Sequence, residues 1–487
     1  MTVTSTSLYL VGLTFLAYFC ISIYDSYSIK NVDDFFLVGR QLSSSGFVLN
    51  AVGTNYSFLT AVFVLSFWGL TFGGGAWWSI VTFALSFFLF SIQRFSLAGE
   101  ADFLKHGNTV HEFIGNRFSS RLLRVVTSLA TSFAYLGYFI ASIYVAATFF
   151  APAVGVGVWP LVLLVATATI VYTTLGGFKS VVKTDIIQII LILVGSTVIF
   201  YAILSSDVSL VSVFERSLNA REFLQPERGF IYILALFLIN GLWNFFAMDM
   251  WQRSISTGET ESVIKGSLSS GVVWSLISIP AVLLGVFVGL AHQGGAIETP
   301  TALMQTFVGF LESSWAVALF YTSLVGALIS SQDSNLAALA QTLYTDVWSP
   351  SSNRQPKNEG SNFSLSDARW TVVLSGSFGV GLLYAVVKLL DFNLVTFLLT
   401  FFSAQLILFP LVFIGTYTDN IRMPSGYAIA SIVIGFIASF GFGLYSVVHP
   451  SLQFWVPLVG LSGSLLPLIA YAVKKLSSNQ TATKPSQ

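Results

Sequence analysis

Four polar side chains, Ser330, Ser331, Asp333 and Ser334, follow one another within an otherwise apolar stretch that we expect to cross a membrane as a helix. Polar and ionisable groups are costly at membrane depth, so they indicate a pathway for ions or substrate. Helical spacing of about 100° per residue places the serines on one stripe with Ala327, and Asp333 at its edge. Hydroxyl and carboxylate oxygens suit a hard cation. The run predicts a cation site; the alternative is a small-residue packing face with serines bonded to their own backbone.

The composition of the chain indicates what kind of element positions these side chains. The 487 residues are 55% hydrophobic and only 9% charged, with a mean hydropathy of +0.79. Charged residues make up about a quarter of an ordinary soluble domain, so the composition predicts an all-α polytopic membrane protein. The balance of 22 basic and 22 acidic residues argues against a nucleic-acid partner. No Walker motif, histidine cluster or nucleophile–base pair is present in the sequence, so we expect neither ATP drive nor an enzyme.

Apolar segments of about 20 residues, the length needed to span a bilayer, predict about 13 transmembrane helices. They lie near residues 8–27, 44–68, 74–95, 122–150, 158–175, 184–204, 229–252, 268–291, 316–345, 370–388, 393–416, 426–447 and 455–474. An external N-terminus would place eighteen of the 22 basic residues on the cytoplasmic side, as the positive-inside rule requires. We therefore predict a plasma (inner) membrane protein with its N-terminus outside and its C-terminus in the cytoplasm.

Two of these spans are interrupted by glycine and polar residues at mid-membrane. The second contains Gly53, Thr54, Asn55 and Ser57, and the seventh contains Asn240, Gly241, Trp243, Asn244 and Asp249. A membrane helix can unwind at such places and turn freed carbonyl groups toward a cation. Their spacing fits two inverted repeats of five helices each. The predicted organisation is an extra N-terminal helix in 1–30, repeats in 40–204 and 229–417, two C-terminal helices in 424–475 and a disordered cytoplasmic tail in 476–487.

Four segments resemble motifs of the sodium:solute symporter family. The segment YTTLGGFKSVVKTDIIQIILI is similar to the family's Gly-Gly-x-x-x-Val-x-x-Thr-Asp-x-x-Gln stretch, and GALISSQDSNLAALAQTLYTDVW to its Ser-Ser-x-x-Ser helix with a closing Thr-x-Asp. The segments MWQRSIST and SAQLILFP resemble the Gln-Arg motif after the broken helix and the Gln-x-x-x-x-Pro stretch. This resemblance implies the leucine-transporter (LeuT) fold, in which ten core helices form two inverted repeats and the first and sixth core helices are broken.

The resemblance also implies site residues. For one sodium ion it indicates the backbone carbonyls of Gly53, Tyr56 and Ala327 and the hydroxyls of Ser330 and Ser331. For a second ion, held by some members, it indicates Asp185, Ser330 and Ser334, with Asp333 at the remaining position. For the solute it indicates Asn55, Ser57 and Thr60 on the first core helix, Asn244 and Asp249 on the sixth, and Gln405 on the tenth.

Departures from the family pattern bear on the solute. Sugar-carrying members have a Glu-Gln pair where this chain has Leu59-Thr60, so a sugar is not expected. Asp249 could bind an ammonium or amide group, or it could instead pair with Arg253, four residues on, at the cytoplasmic end of the helix. These alternatives cannot be separated from the sequence.

The sequence as a whole predicts a secondary active transporter that takes up a small polar organic solute with sodium by alternating access. Sodium is the expected co-transported ion, and no organic cofactor or obligatory protein partner is indicated. One alternative is proton coupling, in which Asp185 or Asp333 binds the proton. Another is a membrane sensor built on the same fold.

Overall fold

All regular elements in the described part of the chain are helical. The computed structural model describes residues 5–97, 106–226, 229–348, 364–389, 394–418 and 421–482. Eleven of its helical segments are long and apolar enough to cross a membrane. They are Ser5–Ser26, Phe58–Ser96, Arg121–Val154, Val158–Ser205, Gly229–Thr257, Thr260–Ala291, Ser314–Trp348, Leu365–Lys388, Thr396–Tyr417, Ser425–Val448 and Pro450–Ser477. The chain is therefore an all-α polytopic membrane protein, as predicted.

Two of these eleven segments each overlap two of the predicted crossings. The segment Val158–Ser205 bends at Gly177, whose φ of 56° and ψ of −160° are not helical. The segment Phe58–Ser96 passes through a 3₁₀ turn, Gly73–Ala76, that begins with a φ of 50° at Gly73. Glycine adopts a positive φ more readily than residues that carry a Cβ, so each bend lies where the sequence permits it. The count of 13 crossings remains a prediction.

Shorter helices connect the long ones. They are Val32–Leu37, Ser44–Asn55, Val110–Arg117, Leu210–Ser217, Ala220–Leu224 and Pro300–Gly309. Most begin at a polar N-cap, as at Thr109, whose hydroxyl accepts the N–H of Glu112 at 3.0 Å and so satisfies one open donor of the first turn. At the other end of the chain the helix Val456–Ala482 extends into the segment expected to be a disordered tail, and the last five residues lie outside the described part.

The first predicted break is present. The helix Ser44–Asn55 ends at Tyr56, whose ψ is 72°, and Ser57 is extended, with a ψ of 150°. A π-helical turn, Phe58–Val64, then leads into the helix Leu65–Phe72. We call the whole unit, residues 44–72, the first broken helix. Its interruption, at Tyr56 and Ser57, lies within the glycine and polar run that predicted one.

The second predicted break is also present. The helix Gly229–Leu236 continues through a π-helical turn, Phe237–Gly241, and a short helix, Trp243–Phe246. The chain is extended at Ala247, with a ψ of 127°, before the helix Met248–Thr257 begins. We call residues 229–257 the second broken helix. Its break lies just before Asp249.

One helix runs through the middle of the bundle. In Ser314–Thr342, which we call the serine helix, every residue from 320 to 342 is buried. It packs against Val158–Ser205, the bent helix that contains Asp185. A helix that is buried on all sides needs a partner for each of its polar groups, because no water reaches them. The serines and Asp333 therefore face other helices, and those contacts define the site.

Candidate cation and solute site

The interruption of the first broken helix frees backbone carbonyls in its last turn, since no helical N–H follows to bond them. Two serines of the serine helix donate hydrogen bonds to these carbonyls instead. The hydroxyl of Ser330 donates to the Gly53 carbonyl at 2.6 Å, and that of Ser331 donates to the Thr54 carbonyl at 2.8 Å. All four groups are buried, so the break and the serine stripe form one cluster of oxygen atoms, which we call the cation cluster after the ion predicted to bind there.

Two carboxylates flank this cluster. Asp185 accepts a hydrogen bond from the Asn50 amide through Oδ2, and a Cβ placed on Gly53 would lie 3.3 Å from its Oδ1. Asp333 accepts the N–H of Ser334 at 2.7 Å through Oδ1. Among the described residues, Oδ1 of Asp185 and Oδ2 of Asp333 have no hydrogen-bond partner although both are buried. Buried polar atoms are nearly always paired, so these two oxygens are available to a cation.

The oxygen-only chemistry of the cluster fits sodium. The Thr54 hydroxyl donates to that of Ser334 at 2.7 Å, which brings Ser334 into the same group. Within the described ranges, no three His, Cys, Asp or Glu side chains come together as a metal site. Hard cations take carbonyl, hydroxyl and carboxylate oxygens. Tyr56 and Ala327 are buried on the same two helices, and their roles as carbonyl ligands stay predictions.

A buried arginine joins the cation cluster to the second broken helix. Arg253 is ion-paired with Asp249 and also donates to Asn50 and, at 2.5 Å, to the Thr54 hydroxyl. The hydroxyl of Tyr135 donates to the other oxygen of Asp249. The alternative expected for Asp249, an ion pair with Arg253, is thus present, but it is in the core: the Arg253 side chain is 0% exposed.

A cavity opens beside this network, between the two broken helices. Its polar lining is formed by Thr54, Asn55, Thr60, Ser79, Asn240, Asp249 and Asn335. The rest is aromatic or aliphatic: Ala61, Val64, Leu65, Trp68, Phe83, Tyr138, Ile239, Trp243, Trp274, Leu398, Leu399 and Phe402. A mostly apolar pocket with a few polar groups is typical of a small-molecule site.

Three of the six residues expected to bind the solute line this cavity, namely Asn55, Thr60 and Asp249. The other three are not among its lining residues. The hydroxyl of Ser57 is bonded to that of Thr60 at 2.5 Å, and the Asn244 amide donates to Ser86 at 2.8 Å. The Gln405 amide donates to the Thr131 carbonyl at 2.9 Å and lines a small neighbouring recess.

Sequence reasoning missed several contributors to the site, among them Asn335, the Thr54 carbonyl and the core position of Arg253. Asn335 follows Ser331 by four residues, so helical spacing would have placed it on the serine face. The Thr54 carbonyl is a backbone group, so the pattern of side chains does not indicate it. Arg253 follows the apolar run directly, and its position there indicates a cytoplasmic residue rather than a buried one.

The sequence profile of the sodium:solute symporter family matches residues 35–435, which is most of the chain. The chain belongs to this family. Its activity is therefore sodium-coupled symport of a small solute, and it is a transporter rather than an enzyme. Within this symporter, the match includes both broken helices, the bent Asp185 helix and the serine helix.

Individual relatives are distant from this symporter. The sodium/sialic acid symporter NanT of Aliivibrio fischeri is 23% identical over 388 residues, covering 75% of this chain and 73% of NanT. The sodium/proline symporter of Escherichia coli is 22% identical over 341 residues, 66% of each chain.

Solved structures show the same fold at low identity. A substrate-bound, outward-open sodium-coupled sialic acid symporter superposes with a TM-score of 0.77 at 18% identity, covering 95% of this chain and 96% of that one. The nucleobase-cation symporter Mhp1 in a closed conformation gives a TM-score of 0.56 at 16% identity, with 93% and 96% covered. The LeuT-type architecture with two broken core helices is thereby established.

Proposed function

We propose that this symporter takes up a small polar organic solute with sodium by alternating access across the plasma membrane. The observation that supports this most strongly is the contact of two freed carbonyls, Gly53 and Thr54, with two buried serine hydroxyls. That contact joins a broken helix to the central helix of the bundle. An ion bound there changes how firmly the two helices are held together, as coupling requires.

Sodium is proposed to bind to the oxygens gathered at this contact. One ion would take the Gly53, Tyr56 and Ala327 carbonyls with the Ser330 and Ser331 hydroxyls. The paired carboxylates, Asp185 and Asp333, would with Ser330 and Ser334 hold a second ion. Their two unpaired oxygens support this part of the proposal, since a buried anion needs a positive charge near it.

Coupling to the solute would run through the side of the first broken helix that faces the cavity. Asn55 lines the cavity directly after Thr54, whose carbonyl and hydroxyl both lie in the cation cluster. A sodium ion that fixes this turn also fixes the solute-binding side chain, so each ligand favours the other. An inward monovalent charge gains about 2.3 kcal/mol per 100 mV, which drives uptake.

The proposed orientation has the N-terminus outside and the C-terminus in the cytoplasm. It rests on the asymmetry of basic residues, of which eighteen of the 22 fall on the predicted inner side. In this orientation sodium enters from outside and is released inside with the solute.

Comparison of uptake in sodium and in choline tests the coupling ion. Cells that express the protein and cells with an empty vector are incubated in a mixture of small metabolites at one fixed pH. Mass spectrometry then measures what accumulates inside. We expect at least one small polar solute to accumulate only when both the protein and sodium are present. Accumulation that persists in choline and follows external pH would instead establish proton coupling. If the expressing cells accumulate no metabolite beyond the level in the empty-vector cells, the transporter proposal is contradicted.

A further inference from the structure

The polar groups that line the cavity are uncharged or already neutralised. Among the described residues, the lining includes no Lys, Arg or His, and its one charged member, Asp249, is paired with Arg253 and bonded by Tyr135. A solute that enters therefore meets amides and hydroxyls rather than a free charge.

The charge behind the cavity also disfavours an anion. When ionised, Asp185, Asp333 and Asp249 together with Arg253 give a buried net charge of −2. One sodium ion reduces this to −1 and two reduce it to zero, so neither leaves a positive charge for a carboxylate. Burying an anion without a partner is strongly unfavourable.

Among the described residues, at least three hydrogen-bonding groups at the cavity are open. No group in the described part of the chain bonds to the Asn335 side chain, which lies directly after Ser334 on the serine helix. The Asn55 amide donates to the Ala51 carbonyl at 2.8 Å, which leaves its Oδ1 free to accept. Trp274 also lines the cavity, and its buried indole N–H has no partner. Together they offer donors and acceptors but no charge.

We propose that the solute is an uncharged molecule with an apolar or aromatic body and an amide-type group, and that Asn335 and Asn55 bind that group. This inference rests on the proposed function. Indole and phenyl faces would bind the body, while the open amides match a group that both donates and accepts. A site built for such hydrogen bonds rejects analogues that cannot form them. Asn335 would also place the solute one residue from the cation cluster.

Matched sets of probes test this inference. The melting temperature of the purified protein is measured in sodium and in potassium with benzamide, benzoate and benzylammonium, and with isobutyramide, isobutyrate and isobutylammonium. Sialic acid and proline are included. We expect sodium-dependent stabilisation by an amide, with little from its charged counterparts. Asn335→Ala should raise the half-saturating amide concentration about tenfold or more. The isosteric Asn335→Asp should lose amide binding and gain preference for the ammonium probe.

The outcomes separate this inference from the function on which it rests. Stabilisation by a carboxylate, an ammonium, sialic acid or proline in place of the amides would overturn it, as would the absence of any stabilising amide. Undiminished amide binding by Asn335→Ala would overturn the role of that residue. If sodium raises the melting temperature and no amide raises it further, this inference is wrong and the proposed function is unaffected. If sodium does not raise the melting temperature, the proposed function is contradicted as well.

Discussion

Arg253→Ala is expected to destabilise the protein by about 3–5 kcal/mol, the usual effect of removing one partner from a buried ion pair. Asp249 would keep a buried negative charge, with the Tyr135 hydroxyl as its only remaining donor among the described residues. Asn50 and Thr54 would each lose a donor as well. The measurement is thermal unfolding of the purified protein, together with its yield as a monodisperse species. Arg253→Lys should recover part of the loss, because lysine restores the charge but not the planar set of donors.

The pair formed by Glu261 and Lys265 provides a matched control. It has the same four-residue spacing, but its side chains are 70% and 71% exposed. Lys265→Ala should leave the melting temperature essentially unchanged, since exposed ion pairs contribute little. Equal stability of Arg253→Ala and the parent protein would contradict the buried network that we describe.

Ser331→Ala is expected to raise the sodium concentration for half-maximal transport by about tenfold or more, because it removes one hydroxyl from the cation cluster. The Thr54 carbonyl would also lose its donor, at a cost of about 1 kcal/mol. The protein should therefore still fold. Uptake measured as a function of sodium concentration, on equal amounts of folded protein, gives the result.

Ser323→Ala is the control for this substitution. Ser323 lies on the same helix and is buried, but its hydroxyl donates to its own helix, to the Phe320 carbonyl at 2.7 Å. Its removal should leave the sodium dependence unchanged. If Ser331→Ala and Ser323→Ala have the same sodium dependence as the parent, Ser331 is not a ligand.

Much of the fold and the cation cluster was predictable because both follow from local chemistry. Apolar length sets the spans, and a glycine beside a polar run marks where a helix can open. Helical spacing put Ser330 and Ser331 on one stripe, and the structure places both against carbonyls of the predicted break. Predicting the spans, the break and the serine stripe needs only the residues themselves and the geometry of a helix.

What could not be predicted depends on which helices meet. Two of the three partners of Arg253, Asn50 and Thr54, lie about 200 residues earlier in the chain, so no local pattern shows that it is buried. Asn244 and Gln405 have the chemistry to bind a solute, but neighbouring helices supply partners that hold them away from the cavity.

The central claim is that a sodium ion binds where the first broken helix meets the serine helix. Its most direct test is the melting temperature in sodium and in potassium at constant ionic strength, for the parent protein and for Ser330→Ala. An ion that binds only the folded state stabilises it by mass action, by about 2.7 kcal/mol at 100 times its Kd. We predict a sodium-specific rise that is lost or moved to much higher sodium in Ser330→Ala. Equal melting temperatures in the two salts, or a rise that Ser330→Ala leaves unchanged, would contradict the claim.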